Sequence, residues 1–121
     1  MEINLTPDFI IEHVSIYLGT CKRAILSDSR YGTISDARQI CMYFAYKSFE
    51  SNYSTLSHYF NRSQWGVRYG VETVIALMSV DKEFEKKVNM VERHLIAQRI
   101  TELSMFDIQH EIVSKTENYF V

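Results

Sequence analysis

Apolar residues recur along this chain three and four positions apart and seldom two apart, so the pattern predicts helices with short connections. The first helix opens at Thr6 with Pro7 in its first turn, where the missing proline N–H would have had no partner. Phe9, Ile10, His13, Val14 and Tyr17 follow at helical spacing, and Gly19 supplies a left-handed stop. Thr20 is expected to cap a second, short helix through Leu26. Ser27–Thr33 is polar, contains Gly32 and reads as a loop. Thr33 or Ser35 then caps a long helix in which Ala37, Ile40, Cys41, Phe44 and Ala45 form one apolar stripe, ended by Ser51-Asn52.

The stretch Ser54–Val74 is the most informative. A short helix capped by Ser54 runs into a turn at Asn61-Arg62, and Ser63 caps the helix that follows. Trp65, Val67, Val71, Val74, Ile75 and Met78 are expected to form that helix's buried stripe. Two helices joined by so tight a turn make a helix-turn-helix, whose second helix fits the major groove of DNA. Asp81 starts a last long pattern through Phe84, Val88, Val91 and Leu95. No Pro or Gly follows Gly70, so helix is expected to about Glu111, with a candidate break near His94–Gln98. Beyond about Gln98, Ile100, Leu103, Phe106 and Ile108 can form an apolar face that folds back or meets a second copy. The expectation is an all-α fold of about six helices: one domain over residues 1–121, with a central helix-turn-helix, a long C-terminal helix or helix pair, and 97–121 as a helical extension.

Composition sharpens this picture. At 121 residues the chain is one domain's worth, and 46% hydrophobic with 23% charged residues is enough apolar material for a core. The net charge of −2 is unlike a DNA binder's, but its distribution is not. Between Thr20 and Gly70 lie seven basic and three acidic residues, a net of +4 that leaves −6 for the remainder. Cys21 and Cys41 are too few for a disulfide framework and are read as small core residues of a reduced, cytoplasmic protein. No signal-like start occurs, and no apolar run approaches the ~18 residues of a membrane span. His13, His58, His94 and His110 are scattered, and no catalytic constellation stands out. No metal, cofactor or enzymatic activity is therefore expected. Lys82–Lys87 reads as a solvated helix face.

Three motifs resemble the C-terminal DNA-binding domain of the bacterial replication initiator DnaA, over roughly Ile10–Leu95. Tyr17-Leu18-Gly19 matches its Tyr-hydrophobic-Gly turn. Ser27-Asp28-Ser29-Arg30 matches its Ser-x-Ser-Arg loop. Ala37-Arg38-Gln39-Ile40-Cys41-Met42-Tyr43 matches its Ala-Arg-Gln-Ile-x-Met-Tyr helix. The family's turn and recognition helix read Phe-Gly-Gly-Arg-Asp-His-Thr-Thr-Val. Here Phe60-Asn61-Arg62-Ser63-Gln64-Trp65-Gly66-Val67 is one residue shorter, and the family's Asp-His-Thr-Thr becomes Ser63, Gln64, Trp65 and Gly66. The resemblance implies the fold and double-stranded DNA as partner, and argues against the usual origin box. No Gly-rich phosphate loop occurs, so ATP hydrolysis by the initiator's route is not expected.

The resemblance gives Arg38 a DNA contact, against an internal salt bridge to Asp36 or Glu50, and gives Arg30 a phosphate contact. Arg62 in the turn suits phosphate, and Arg68 on the second helix can fork onto guanine. Ser63 either caps the helix or meets a base, and Gln64 is suited to adenine. Trp65 either anchors the core or contacts a thymine methyl or an unpaired base. Gly66 and Gly70 share a smooth face that lets the helix sit close to DNA or to the neighbouring helix, with packing the favoured reason. Tyr43, Tyr46, Tyr53, Tyr59 and Tyr69 suit half-buried packing, phosphate contact or a protein interface. Two functions follow: a stand-alone duplex-DNA-binding module built on Arg30, Arg38, Arg62, Ser63, Gln64, Trp65 and Arg68, or an interaction or homodimerisation module that has lost DNA binding and uses an apolar patch within Ile96–Phe120.

Overall fold

The structure, a computed structural model, describes the backbone of residues 5–119 and the side-chain surroundings of residues 5–105. Phe106 and Ile108, placed above on an apolar face, lie outside the described side chains. Six helices and no strand occur among the described residues: α1 (Pro7–Leu18), α2 (Lys22–Ile25), α3 (Gly32–Ser48), α4 (Tyr53–Phe60), α5 (Gln64–Val80) and α6 (Lys82–Tyr119). The all-α expectation holds.

Helix α1 begins and ends as its sequence requires. The Thr6 hydroxyl accepts from the Phe9 N–H, and Pro7 stands in the first turn. Gly19 takes a left-handed φ of 73°, and its N–H bonds to the Ile16 carbonyl. Thr20 is the first correction. Its N–H returns to the Ser15 carbonyl, so it closes α1 in a Schellman-type wrap instead of capping α2. The residue before α2 is Cys21, exposed rather than buried, with no capping side chain.

The loop after α2 explains a second correction. Ser29 N–H donates to the Ser27 hydroxyl and Tyr31 N–H to the Ser29 hydroxyl, so serines satisfy the loop backbone. Helix α3 then starts at Gly32, ahead of Thr33 and Ser35, without a side-chain cap. Its stripe is as read: Ala37, Ile40, Cys41, Phe44 and Ala45 are all buried. Helix α4 starts two residues earlier than a Ser54 cap would give, because Asn52 is its cap; the Asn52 side-chain amide oxygen Oδ1 accepts from the N–H groups of Ser54 and Thr55.

Helix α6 is one helix of 38 residues with no break near His94–Gln98. The Asp81 carboxylate caps it, accepting from Glu83 and Phe84. Val88, Val91 and Leu95 share one face and are buried, so packing runs straight through the expected break. These side chains join Ile10, Ile11 and Val14 of α1, the α3 stripe, Leu56 and Phe60 of α4 and Val67, Val71 and Val74 of α5 in one core. Helix α3 lies at its centre, packed against α1, α2, α4 and α5.

Candidate nucleic-acid interface

The turn between α4 and α5 is built by three residues with separate tasks. Asn61 enters the left-handed region at φ 52°, a conformation asparagine tolerates well, and ends α4. Arg62 N–H then bonds back to the Ser57 carbonyl. The Ser63 hydroxyl accepts from the Gly66 N–H at 3.0 Å, so Ser63 acts as the α5 cap.

Close contact between α3 and α5 sets which face of α5 points outward. A Cβ on Gly70 would lie 2.6 Å from Met42 Sδ and 3.4 Å from Gln39 Cγ, so α5 seats against α3 where a side chain is missing. Val67, Val71 and Val74 turn inward with it. Gln64, Trp65, Arg68, Tyr69 and Glu72 turn outward. Trp65 is 75% exposed and Ile75 is 52% exposed, so both are corrected out of the buried stripe. Gly66 does not share Gly70's role. A Cβ there would meet only Ser63 Oγ at 3.4 Å and the Arg62 side chain.

The arginines divide into two groups. Arg38 is only 7% exposed, and its guanidinium is held by backbone carbonyls: Nε donates to Ile25 O at 2.6 Å, and Nη2 to Ser27 O at 2.9 Å and Ala24 O at 3.4 Å. These acceptors belong to the end of α2 and the start of the serine loop. Neither Asp36 nor Glu50 is its partner. Arg62 donates from Nη2 to the same Ser27 carbonyl and from Nη1 to its own neighbour Asn61 O at 3.2 Å. The α3 helix and the helix-turn-helix thus meet at one carbonyl. Burial, then the charge of Arg62, hold the Arg38 pKa below the ordinary guanidinium value, with Asp28 acting in the opposite sense. Arg30, three residues beyond Ser27, is exposed and takes part in no ion pair among the described residues.

The second group gathers at the first turns of α4 and α5. Tyr53, Gln64, Trp65 and Arg68 line an open recess of about 180 Å³. The Arg68 guanidinium lies 5.6 Å from the Trp65 ring centroid, in cation–π range. Its Nε donates to Glu72 Oε1 at 2.9 Å, and that hydrogen bond raises the Arg68 pKa. Tyr53 stacks on Tyr46 with ring centroids 4.9 Å apart. Burial first, then the Tyr46 hydrogen bond, raise the Tyr53 pKa. Gln64 is exposed, and its amide makes no hydrogen bond among the described residues. Of the tyrosines given packing, phosphate or interface readings, Tyr53 is the one that lines this recess; the available signal is the shortness of α4, which brings its first residue beside the first turns of α5.

No cluster of three or more His, Cys, Asp or Glu suited to a metal occurs among the described residues. No helix among them is long and apolar enough to cross a membrane. A comparison with curated proteins finds no match to this chain. A family model described as the bacterial dnaA protein helix-turn-helix matches residues 7–74, from the first residue of α1 into α5. With more than half of its length matched, and with the turn, cap and α3–α5 seat in place, the chain belongs to the DnaA helix-turn-helix family.

Proposed function

We propose that this chain is a stand-alone module that binds duplex DNA through α5 and the serine loop. One observation carries the reading: within the family-matched segment, the first turns of α5 present Gln64, Trp65 and Arg68 to solvent while Val67, Gly70, Val71 and Val74 seat the helix. Arg30 and Arg62 are the phosphate contacts, since contacts of this kind set orientation. Ser63 caps α5. Gln64, Trp65 and Arg68 face the bases. Arg38 is a positioning residue, holding the loop that carries Arg30 and sharing Ser27 O with Arg62. Binding and not catalysis is the proposed activity.

The test is a salt titration of binding to a random-sequence duplex pool, followed by selection from it. Affinity should fall steeply with salt. The double variant Arg30→Ala/Arg62→Ala should bind at least about tenfold more weakly, with the salt slope reduced by about two, near one for each phosphate lost. Undiminished binding and an unchanged slope would refute the assignment.

A second reading has its own observation. Ile100, Leu103 and Met105 of α6 are all at least 40% exposed. Homodimerisation through this part of α6 would cover them, and it is compatible with DNA binding. Light scattering should then give twice the monomer mass, reduced to one by Leu103→Lys.

A further inference from the structure

The outward face of α5 sets a large aromatic ring, Trp65, among hydrogen-bonding side chains. Trp65 is the only tryptophan of the chain and among its most exposed large side chains. Beside it the recess holds a second aromatic ring, Tyr53, the Gln64 amide, which makes no hydrogen bond among the described residues, and a guanidinium fixed by Glu72. We propose that this recess takes an unpaired base, so that the chain prefers DNA with an extrahelical nucleotide over fully paired duplex. The inference rests on the DNA-binding reading above.

The chemistry of the lining supports this choice. A paired duplex keeps base faces inside the stack and shows only their edges in the grooves. A thymine methyl could touch Trp65, but it would leave the Gln64 amide and the rest of the recess unused. An unstacked base offers a π-face to the indole and a Watson–Crick edge to the Gln64 amide, which can both donate and accept. Arg68 adds a cation at the ring, where a base face or the adjoining phosphate can meet it. Drawing a paired base out of an intact duplex costs about as much as one stack returns. A base that is already unpaired costs the least to draw out, so the preference should favour a bulge.

The experiment compares two end-labelled duplexes of one random sequence, one fully matched and one with a single unpaired adenine. Anisotropy measures affinity, and indole emission reports on Trp65 directly. The bulged duplex should bind at least about fivefold more tightly and quench the emission more strongly. Trp65→Ala should bring the ratio of the two affinities close to one, and Trp65→Tyr should keep most of it. The circular dichroism and denaturation midpoint of each variant establish that it is folded. Equal affinities for wild type, with salt-dependent binding intact, would overturn this inference and leave the DNA-binding reading standing. A bulge preference that survives Trp65→Ala would overturn the assignment to the recess. Matched-duplex binding that weakens on replacing thymine by uracil, with no gain from the bulge, would favour groove contact and also overturn it. No salt-dependent binding of either duplex would remove the DNA-binding reading and this inference together.

Discussion

Arg38 and Arg62 meet at one carbonyl oxygen, yet their side chains have different tasks. Arg38 is buried, and three carbonyls depend on it. Hydrogen bonds to a charged group contribute about 1.5–3 kcal/mol, so Arg38→Met should lower unfolding stability by about 2–3 kcal/mol in urea denaturation. Arg62 is half exposed and shares Ser27 O with Arg38, so Arg62→Ala should cost about 1 kcal/mol or less and act mainly on the salt slope of DNA binding. The reverse ranking of the two variants would contradict this division. The cysteines divide in the same manner. Burial pushes the Cys41 thiol far above the usual cysteine range, and its reactive thiolate is correspondingly scarce. Cys21 is exposed. A thiol reagent at neutral pH should therefore modify Cys21 alone in the native protein and reach Cys41 only after denaturant is added.

Two glycines of α5, four residues apart, should respond to alanine with opposite signs. At Gly66 the new Cβ meets ordinary contacts, so Gly66→Ala should stabilise by about 0.5–1 kcal/mol through helix propensity alone. At Gly70 it would press on the buried Met42 sulfur against α3. Gly70→Ala should then destabilise by about 1–2 kcal/mol despite the same propensity gain, and Met42→Ala should relieve the clash in a double-mutant cycle. Thermal denaturation of the two single variants decides the signs. The sequence placed both glycines on one packing face, and that was right only for Gly70, because the neighbour of a helix face is a tertiary fact. Other features were legible. The α3 stripe, the α1 stop at Gly19, the Ser63 cap and the turn at Asn61 follow from local rules. Trp65 could have been read correctly: two residues at about 100° each carry it to the far side of the helix from Val67. The role of Arg38 was not legible, since backbone carbonyls accept its bonds and leave no mark on the identity of the residues that carry them. The recess was hidden for a related reason, because it forms only when α4 folds back and sets Tyr53 beside α5.

The family match stops at residue 74, but the core does not. Helix α6 adds Val88, Val91 and Leu95, each at most 1% exposed, and packs on both α1 and α5. Along the α1 seam, the Tyr17 and His94 rings meet in tilted contact at 4.8 Å, Phe9 and His13 of α1 lie tilted at 4.3 Å, and Arg99 lies over Phe9 at 5.8 Å. Lys47 of α3 bonds to Glu92 at 3.0 Å, an exposed pair worth about 1 kcal/mol or less. The apolar contacts dominate this seam. Burying three such side chains contributes about 1.5–3 kcal/mol each, as an upper estimate for a realistic unfolded chain. Their sum approaches the whole stability of an ordinary domain, about 5–15 kcal/mol. A chain ending at Asp81 should therefore fail to fold cooperatively, although it keeps every residue matched by the family and every side chain of the proposed DNA interface. Leu95→Ala in the intact chain is the quantitative form of the same argument. It should cost about 2–5 kcal/mol in urea denaturation, while DNA affinity per folded molecule stays at the wild-type value because Leu95 lies outside the interface. A Leu95→Ala protein of wild-type stability would mean that α6 is an appendage to the helix-turn-helix and not part of its foundation.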